Sequence, residues 1–335
     1  MTRLTFEDFP LGRKFELDSF TLERQDMVNF ARTYDPQAFH LNDENTDKTY
    51  PGRMVASGWF LCSLLVREFA KGFLKDSNMY CGAGMPELFW LEAVLPGDKL
   101  RMEAVVIESR VSRLRPEIGI VTLSGGFINQ HDVKVVSNQV VIFIGRRGET
   151  AHPNLPDRSI LEEKTVICGN EKAVKLPFFE EIEFGSQWNI GSHIFTAERI
   201  RAYASLYDPQ PFHLDEVLAR QSFLGGLCAA GVHVALTWWT LGILNHNRAE
   251  AEALQQGTLY PRLGLMQGFR DLTWYLPVYA DDVLTYSAKI LKKHELPDRK
   301  GWGVLDVQAS ACNQYGETVI NYYPSLVLEM FTNRR

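Results

Sequence analysis

Cysteine is scarce in this chain and never paired. Cys62, Cys81, Cys168, Cys228 and Cys312 stand singly, with no C-x-x-C step. An odd, scattered set argues against a disulfide framework or a thiolate zinc site and points to a reducing compartment. Basic charge is also short. Lys and Arg number 35 against 41 Asp and Glu, and no basic cluster of the kind a nucleic-acid binder carries is present. The opening MTRLTFEDFP lacks the apolar stretch of a signal peptide, so a cytoplasmic protein is expected. G-x-G-x-x-G, P-loop and G-x-S-x-G motifs are missing, which argues against nucleotide-fold enzymes and α/β serine hydrolases. His131, His152, His193, His246 and His294 show no metal-ligand spacing. One uncharged run, residues 223–245, is long enough to cross a bilayer. Its counterpart in the other half of the chain carries Arg67 and Glu68, so a buried core helix is expected and no membrane partner.

What the chain does have is a copy of itself. Phe30–Asp43 reads FARTYDPQAFHLND, and Tyr203–Glu216 reads YASLYDPQPFHLDE. The offset is 173 (208 − 35), and it also relates Ala56-Ser57-Gly58 to Ala229-Ala230-Gly231. Further on it becomes 184, matching Leu88-Phe89-Trp90 to Leu272-Thr273-Trp274 (272 − 88). Eleven extra residues (184 − 173) therefore fall between Gly231 and Leu272, most simply in His246–Gly257 and the Pro261 turn. A charged, proline-bearing stretch divides the copies. The expected plan is an N-terminal unit of residues 1–146, a connector of 147–177 and a C-terminal unit of 178–335.

Each unit reads as an early strand, a short helix, an Asp-Pro-Gln loop with a His, a long apolar helix, and β-rich runs. Met27, Phe30, Ala31 and Tyr34 recur at i, i+3, i+4 and i+7, as do Ile200, Tyr203, Ala204 and Tyr207. The long helices are expected at about 57–73 and 231–245, and the strands at 100–108, 117–128 and 134–144, then 283–292, 302–313 and 317–330. A central helix wrapped by an antiparallel sheet is an α+β arrangement, and two such units can merge their sheets at an edge.

The chemistry lies in Asp35 with His40 and Asp208 with His213, five residues apart in both copies. On a continuous helix that spacing would separate the side chains. Pro36 and Pro209 disfavour helix at the preceding Asp, so the chain turns and can bring both groups to one water molecule. A carboxylate and an imidazole there can exchange protons with substrate near neutral pH. The helices opening at Gly58 and Gly231 offer backbone N–H groups to a carbonyl oxygen, with glycine allowing close approach. Each motif can equally be a turn with a structural His.

At these residues the sequence resembles the MaoC-like dehydratase family, which includes (R)-specific enoyl-CoA hydratases. The matching residues are Asp35, His40 and Gly58, then Asp208, His213 and Gly231; the stretches Phe89-Trp90-Leu91, Pro96-Gly97-Asp98 and Ser112–Pro116 match the family as well. The resemblance implies a double hotdog fold, no metal and no redox cofactor. It also implies an acyl-CoA or acyl-carrier-protein thioester substrate, with CoA arriving as part of it. Asp and His would work on water and the Gly N–H on the thioester oxygen. Gln37 and Gln210 stand where many members have Asn and are expected to join the same polar network.

Other residues are candidates for substrate contact. His233 would be a third polar group at the second site, and Trp239, with Trp238, would shape an acyl tunnel. Arg110, Arg113, Arg115, Arg146 and Arg147 would meet CoA phosphates, or else form solvated edges. The Gly225-Gly226 turn, His233 and the eleven extra residues make Asp208/His213 the site expected to carry most turnover. The leading expectation is a hydro-lyase forming or breaking 3-hydroxyacyl thioesters, in a monomer with pseudo-dimeric halves or a homo-oligomer. The alternatives are a hotdog thioesterase, attacking the carbonyl, and a non-catalytic acyl-thioester-binding protein.

Overall fold

The computed structural model describes residues 3–42, 51–151, 175–297 and 299–331. Most of the expected connector, including Cys168 and His152, lies outside the described residues. The remaining chain forms ten strands and seven helices. In the first half these are β1 (Lys14–Thr21), α1 (Arg24–Tyr34), α2 (Ala38–Leu41), α3 (Gly58–Phe69), β2 (Met79–Trp90), β3 (Lys99–Val111), β4 (Ile118–Ile128) and β5 (Lys134–Gly145). The second half has β6 (Gln187–Ile194), α4 (Ala197–Tyr207), α5 (Pro211–Leu214), α6 (Glu216–Gln221), α7 (Gly231–Gln255), β7 (Gly268–Trp274), β8 (Val283–Glu295), β9 (Trp302–Cys312) and β10 (Thr318–Glu329).

The strands make one antiparallel sheet in the order β1-β3-β4-β5-β2-β7-β10-β9-β8-β6, a double hotdog. β2 and β7 were not expected as long strands. In β2 the run Gly82-Ala83-Gly84 hides the alternation that marks a strand. The two strands pair in the middle and join the halves. Gly84 lies opposite Thr273, and Phe89 lies opposite Gly268. With the offset of 184 (268 − 84), this pairing is self-complementary, as across a two-fold axis. The seam is tight at its glycines. A Cβ on Gly84 would sit 2.6 Å from the Leu272 carbonyl oxygen, and one on Gly268 would sit 2.4 Å from that of Leu88.

Helices α3 and α7 share one continuous core with the strands, which includes Leu61, Leu65, Met102 and Val121 of the first half and Val234, Leu236, Tyr286 and Leu305 of the second. The Tyr286 and Tyr322 hydroxyls, both buried, donate to the carbonyls of Val234 and Ala235 at 3.0 Å, tying α7 to the sheet. Among the described residues no helix is long and apolar enough to cross a membrane. The extra residues of the second half prolong α7 to Gln255, whereas α3 ends at Phe69 and a single π turn, Ala70–Leu74.

Each short helix rests on the other half's central helix. Thr240 of α7 donates its hydroxyl to the Tyr34 carbonyl at 2.7 Å, and Asn247 donates to that of Pro36 at 2.8 Å. Reciprocally, Ser63 of α3 shares a 2.8 Å hydrogen bond with Tyr203 of α4. Both Asp-Pro-Gln turns are thus held across the halves. Because the Gly84 clash is with backbone, Gly84→Ala should destabilise the chain by roughly 1–3 kcal/mol, as overpacking does. Urea unfolding monitored by circular dichroism checks this; an unchanged midpoint would mean the seam is looser than its geometry.

Candidate active site

Both Asp-Pro-Gln turns fold alike. Helix α1 stops at Asp35 (φ −148°) and α4 at Asp208 (φ −151°), the residues before Pro36 and Pro209. Where a loop was expected, a single helical turn follows, α2 or α5, the latter with Pro211 in its first positions. That turn buries His40 and His213 and swings them back toward the Asp.

The imidazoles are oriented by backbone. His40 Nδ1–H donates to the Val55 carbonyl at 2.9 Å, and His213 Nδ1–H to that of Cys228 at 2.7 Å. A carbonyl only accepts, so Nδ1 carries a proton and Nε2 faces the carboxylate. The Nε2–Oδ2 distances are 3.3 Å to Asp35 and 3.4 Å to Asp208. Burial works against charge on His213, but the Asp208 carboxylate overrides it and holds the imidazolium up at about 10. Burial would likewise raise the Asp35 carboxyl. The His40 charge, followed by hydrogen bonds from His40, Ser57 and Trp239, outweighs it and brings that carboxyl below its usual range.

The two carboxylates differ in what else they accept. Gln37 Nε2–H donates to Asp35 Oδ1 at 2.9 Å, and Gln210 Nε2–H to Asp208 Oδ1 at 2.8 Å. The longer amide therefore does reach the Asp. Asp35 takes two further donors: Ser57 Oγ–H at 2.6 Å on Oδ2 and Trp239 Nε1–H at 2.9 Å on Oδ1. At Asp208 the corresponding positions are Ala230 and Val66, which have no side-chain donor. Trp239, expected to shape an acyl tunnel, thus meets the carboxylate of the first half.

Gly58 and Gly231 open α3 and α7, whose first N–H groups have no intrahelical acceptor. Ser57, a natural cap, turns its hydroxyl to Asp35 instead. The need for glycine here has a second cause. A Cβ would lie 2.4 Å from the Trp90 indole at Gly58, and 2.4 Å from that of Trp274 at Gly231.

Asp208, Gln210, His213 and Gly231 border a cavity of about 530 Å³. Its wall is largely apolar and draws on both halves: Val66 and Phe69 of α3, Leu123 of β4, and Val140 and Ile142 of β5 from the first, with Val232, Val234 and Val278 from the second. Of the five candidate arginines only Arg115 lines it. Arg115 pairs with Glu117 at 2.7 Å and lies over the Phe223 ring. Arg110, Arg146 and Arg147 pair with Glu108, Glu7 and Asp8 instead.

Three expectations about this cavity need correction. His233 lines neither Asp–His cavity. It stacks on Tyr203 at 4.3 Å beside Phe195, and burial depresses its pKa to about 3. The extra residues of α7 do not line the Asp208 cavity, and neither do Gly225 and Gly226. Among the described residues no group of three or more His, Cys, Asp or Glu side chains is arranged to hold a metal ion.

Comparison with known proteins bears on both halves. Residues 8–124 match the MaoC like domain, and residues 184–322 match the FAS1-like dehydratase domain region. A MaoC-like dehydratase from Rhodospirillum rubrum is 31% identical over 43% of this chain and 98% of its own, with a TM-score of 0.40. A putative MaoC domain protein dehydratase from Chloroflexus aurantiacus superposes over 97% of both chains, with a TM-score of 0.70 and 18% identity. A conserved hypothetical protein of Mycobacterium tuberculosis with a double hotdog fold does so over 98% of this chain and 99% of its own, at a TM-score of 0.70 and 14% identity.

The His213 pair has a pH signature. Its folded-state pKa is raised, so the stability it contributes is complete below the ordinary 6.5 and lost as pH climbs through about 10. In Asp208→Asn the main group opposing burial is gone, Cys228 alone still favouring the charged form, and the imidazole pKa should fall well below that of the parent. Imidazole NMR titration reads both forms; an unmoved His213 would mean the carboxylate does not hold its charge.

Proposed function

Because the chain belongs to the MaoC-like dehydratase family, we propose that it adds water to, or removes it from, the 2,3-position of an acyl thioester at Asp208, His213 and Gly231. The observation that carries this reading is the asymmetry of the carboxylates. Asp208 keeps acceptor capacity for a water molecule and opens on the large apolar cavity; Asp35 is filled by protein donors. His233, the Gly225-Gly226 turn and the eleven extra residues, on which the sequence favours the same site, line no part of this cavity.

In the hydration direction, water sits between Asp208 Oδ2 and His213 Nε2. As its oxygen bonds to C3, a proton passes to the carboxylate, and the imidazolium gives its Nε2 proton to C2. Transfer from Asp208 to His213 restores the pair. Negative charge building on the thioester oxygen faces the Gly231 N–H at the positive end of α7. The aliphatic chain runs along Val66, Phe69, Leu123 and Ile142, inside the first half. Arg115 is 26% exposed and lies where CoA phosphates would enter. Proton transfer and fixed dipoles suffice for this scheme, so it calls for no resident metal, NAD or flavin. The family resemblance supports an acyl-CoA, or a carrier-protein thioester, and the (R) product.

Asp208→Asn should lower kcat by about 10²–10⁴-fold, the usual worth of a general acid or base, while Asp35→Asn stays within a few-fold of the parent. Hydration of 2-enoyl-CoA thioesters followed by absorbance measures both, with circular dichroism checking the fold. Full activity in Asp208→Asn would remove the assignment. Chiral analysis of the product, formed in the presence of a chelator and with no added NAD or flavin, should give the (R)-3-hydroxyacyl thioester. Mainly (S) product would overturn the stereochemical reading, and release of free thiol would make the protein a thioesterase.

A further inference from the structure

A second Asp–His cavity stands outside the proposed reaction. It measures about 390 Å³ and is bordered by Asp35, Gln37, His40 and Gly58, with Trp239 and Arg299 from the second half. The Asp, Gln, His and Gly of the Asp208 cavity recur in it. The arginine does too, since Arg299 is the counterpart of Arg115 at the offset of 184 (299 − 115), and each arginine comes from the half opposite its Asp.

What does not recur is the depth. Trp239 occupies the helix position of Val66, at the offset of 173 (239 − 66). Behind it lies an apolar hollow of only about 60 Å³, bordered by Ile243, Val307 and Leu326. Val307 and Leu326 are the counterparts of Leu123 and Ile142, which wall the Asp208 cavity (307 − 123 and 326 − 142 are both 184). The hollow therefore takes the place that the apolar depth of the Asp208 cavity has in the other half. Trp239 borders both spaces, is 4% exposed, and is anchored through Nε1–H to Asp35.

We propose that the Asp35 cavity is a second acyl-thioester site whose floor is Trp239, so that it accepts only the shortest acyl groups, and that it binds them without turnover. The absence of turnover follows from Asp35. Gln37, Trp239 and Ser57 donate to it and His40 faces it, which uses the roughly four acceptor positions of a carboxylate and leaves none for water. The inference rests on the reading that the Asp208 cavity takes acyl thioesters.

Isothermal titration of the full chain with butanoyl-CoA and decanoyl-CoA, saturated ligands that cannot react, tests it. The parent should bind two butanoyl-CoA and one decanoyl-CoA per chain. Trp239→Val, copying Val66, should bind two of each. Val66→Trp, copying Trp239, should keep two butanoyl-CoA and weaken decanoyl-CoA at least tenfold. In Asp208→Asn two butanoyl-CoA should bind, yet butenoyl-CoA should not be hydrated. One butanoyl-CoA in the parent, or one decanoyl-CoA in a Trp239→Val protein that melts cooperatively, overturns the proposal. So does hydration in Asp208→Asn that a further Asp35→Asn change abolishes. If Trp239→Val does not fold, the parent and Val66→Trp still decide. Absence of binding by either ligand in the parent would instead defeat the reading of the Asp208 cavity.

Discussion

The β2–β7 seam is the constraint on which the rest depends. It is a backbone contact, closed by Gly84 and Gly268, where any Cβ would meet a carbonyl oxygen. By fixing the two sheets edge to edge, it brings each Asp-Pro-Gln turn against the other half's central helix. Tyr34 and Pro36 are held by α7, and Tyr203 by α3. Neither Asp–His cavity is therefore lined by one half alone. The second half supplies Asp208 and His213, and the first supplies part of the apolar wall around them, including Val66, Phe69 and Leu123.

Within that frame, small differences separate the two sites. The carboxylate, imidazole, amide and glycine are the same, and Nδ1 of each His is bound to the same relative carbonyl. Ser57 against Ala230 and Trp239 against Val66 then decide how many donors each carboxylate meets. A buried carboxylate surrounded by donors is well solvated by protein and poorly placed to accept a proton. One with unfilled acceptor positions beside a cavity is placed to hold water.

Much of this was legible in the sequence for a physical reason: local rules operate locally. Proline after Asp35 and Asp208 ends a helix, apolar residues at i, i+3 and i+4 mark its buried face, and duplication exposes both. The strands with alternating residues were equally readable. The glycine-rich β2 was not, because the pattern that marks a strand needs side chains. Contacts across the halves were also hidden. Trp239 meets Asp35 from 204 residues away, and nothing near either residue announces it. His233 illustrates the reverse error. Its place two residues after Gly231 suggested the site, but two steps around a helix turn a side chain by about 200°, here into an aromatic cluster.

The self-complementary seam has a consequence for how such a protein can change. In a symmetric dimer of single units, every replacement appears twice, so a tryptophan that fills one channel fills both, and the assembly loses its function at a stroke. Covalent fusion keeps the geometry of the dimer but makes the two copies of each position independently heritable. Position 66 can stay valine while position 239 becomes tryptophan. The linkage therefore does more than hold two halves together: it removes the requirement that they remain alike.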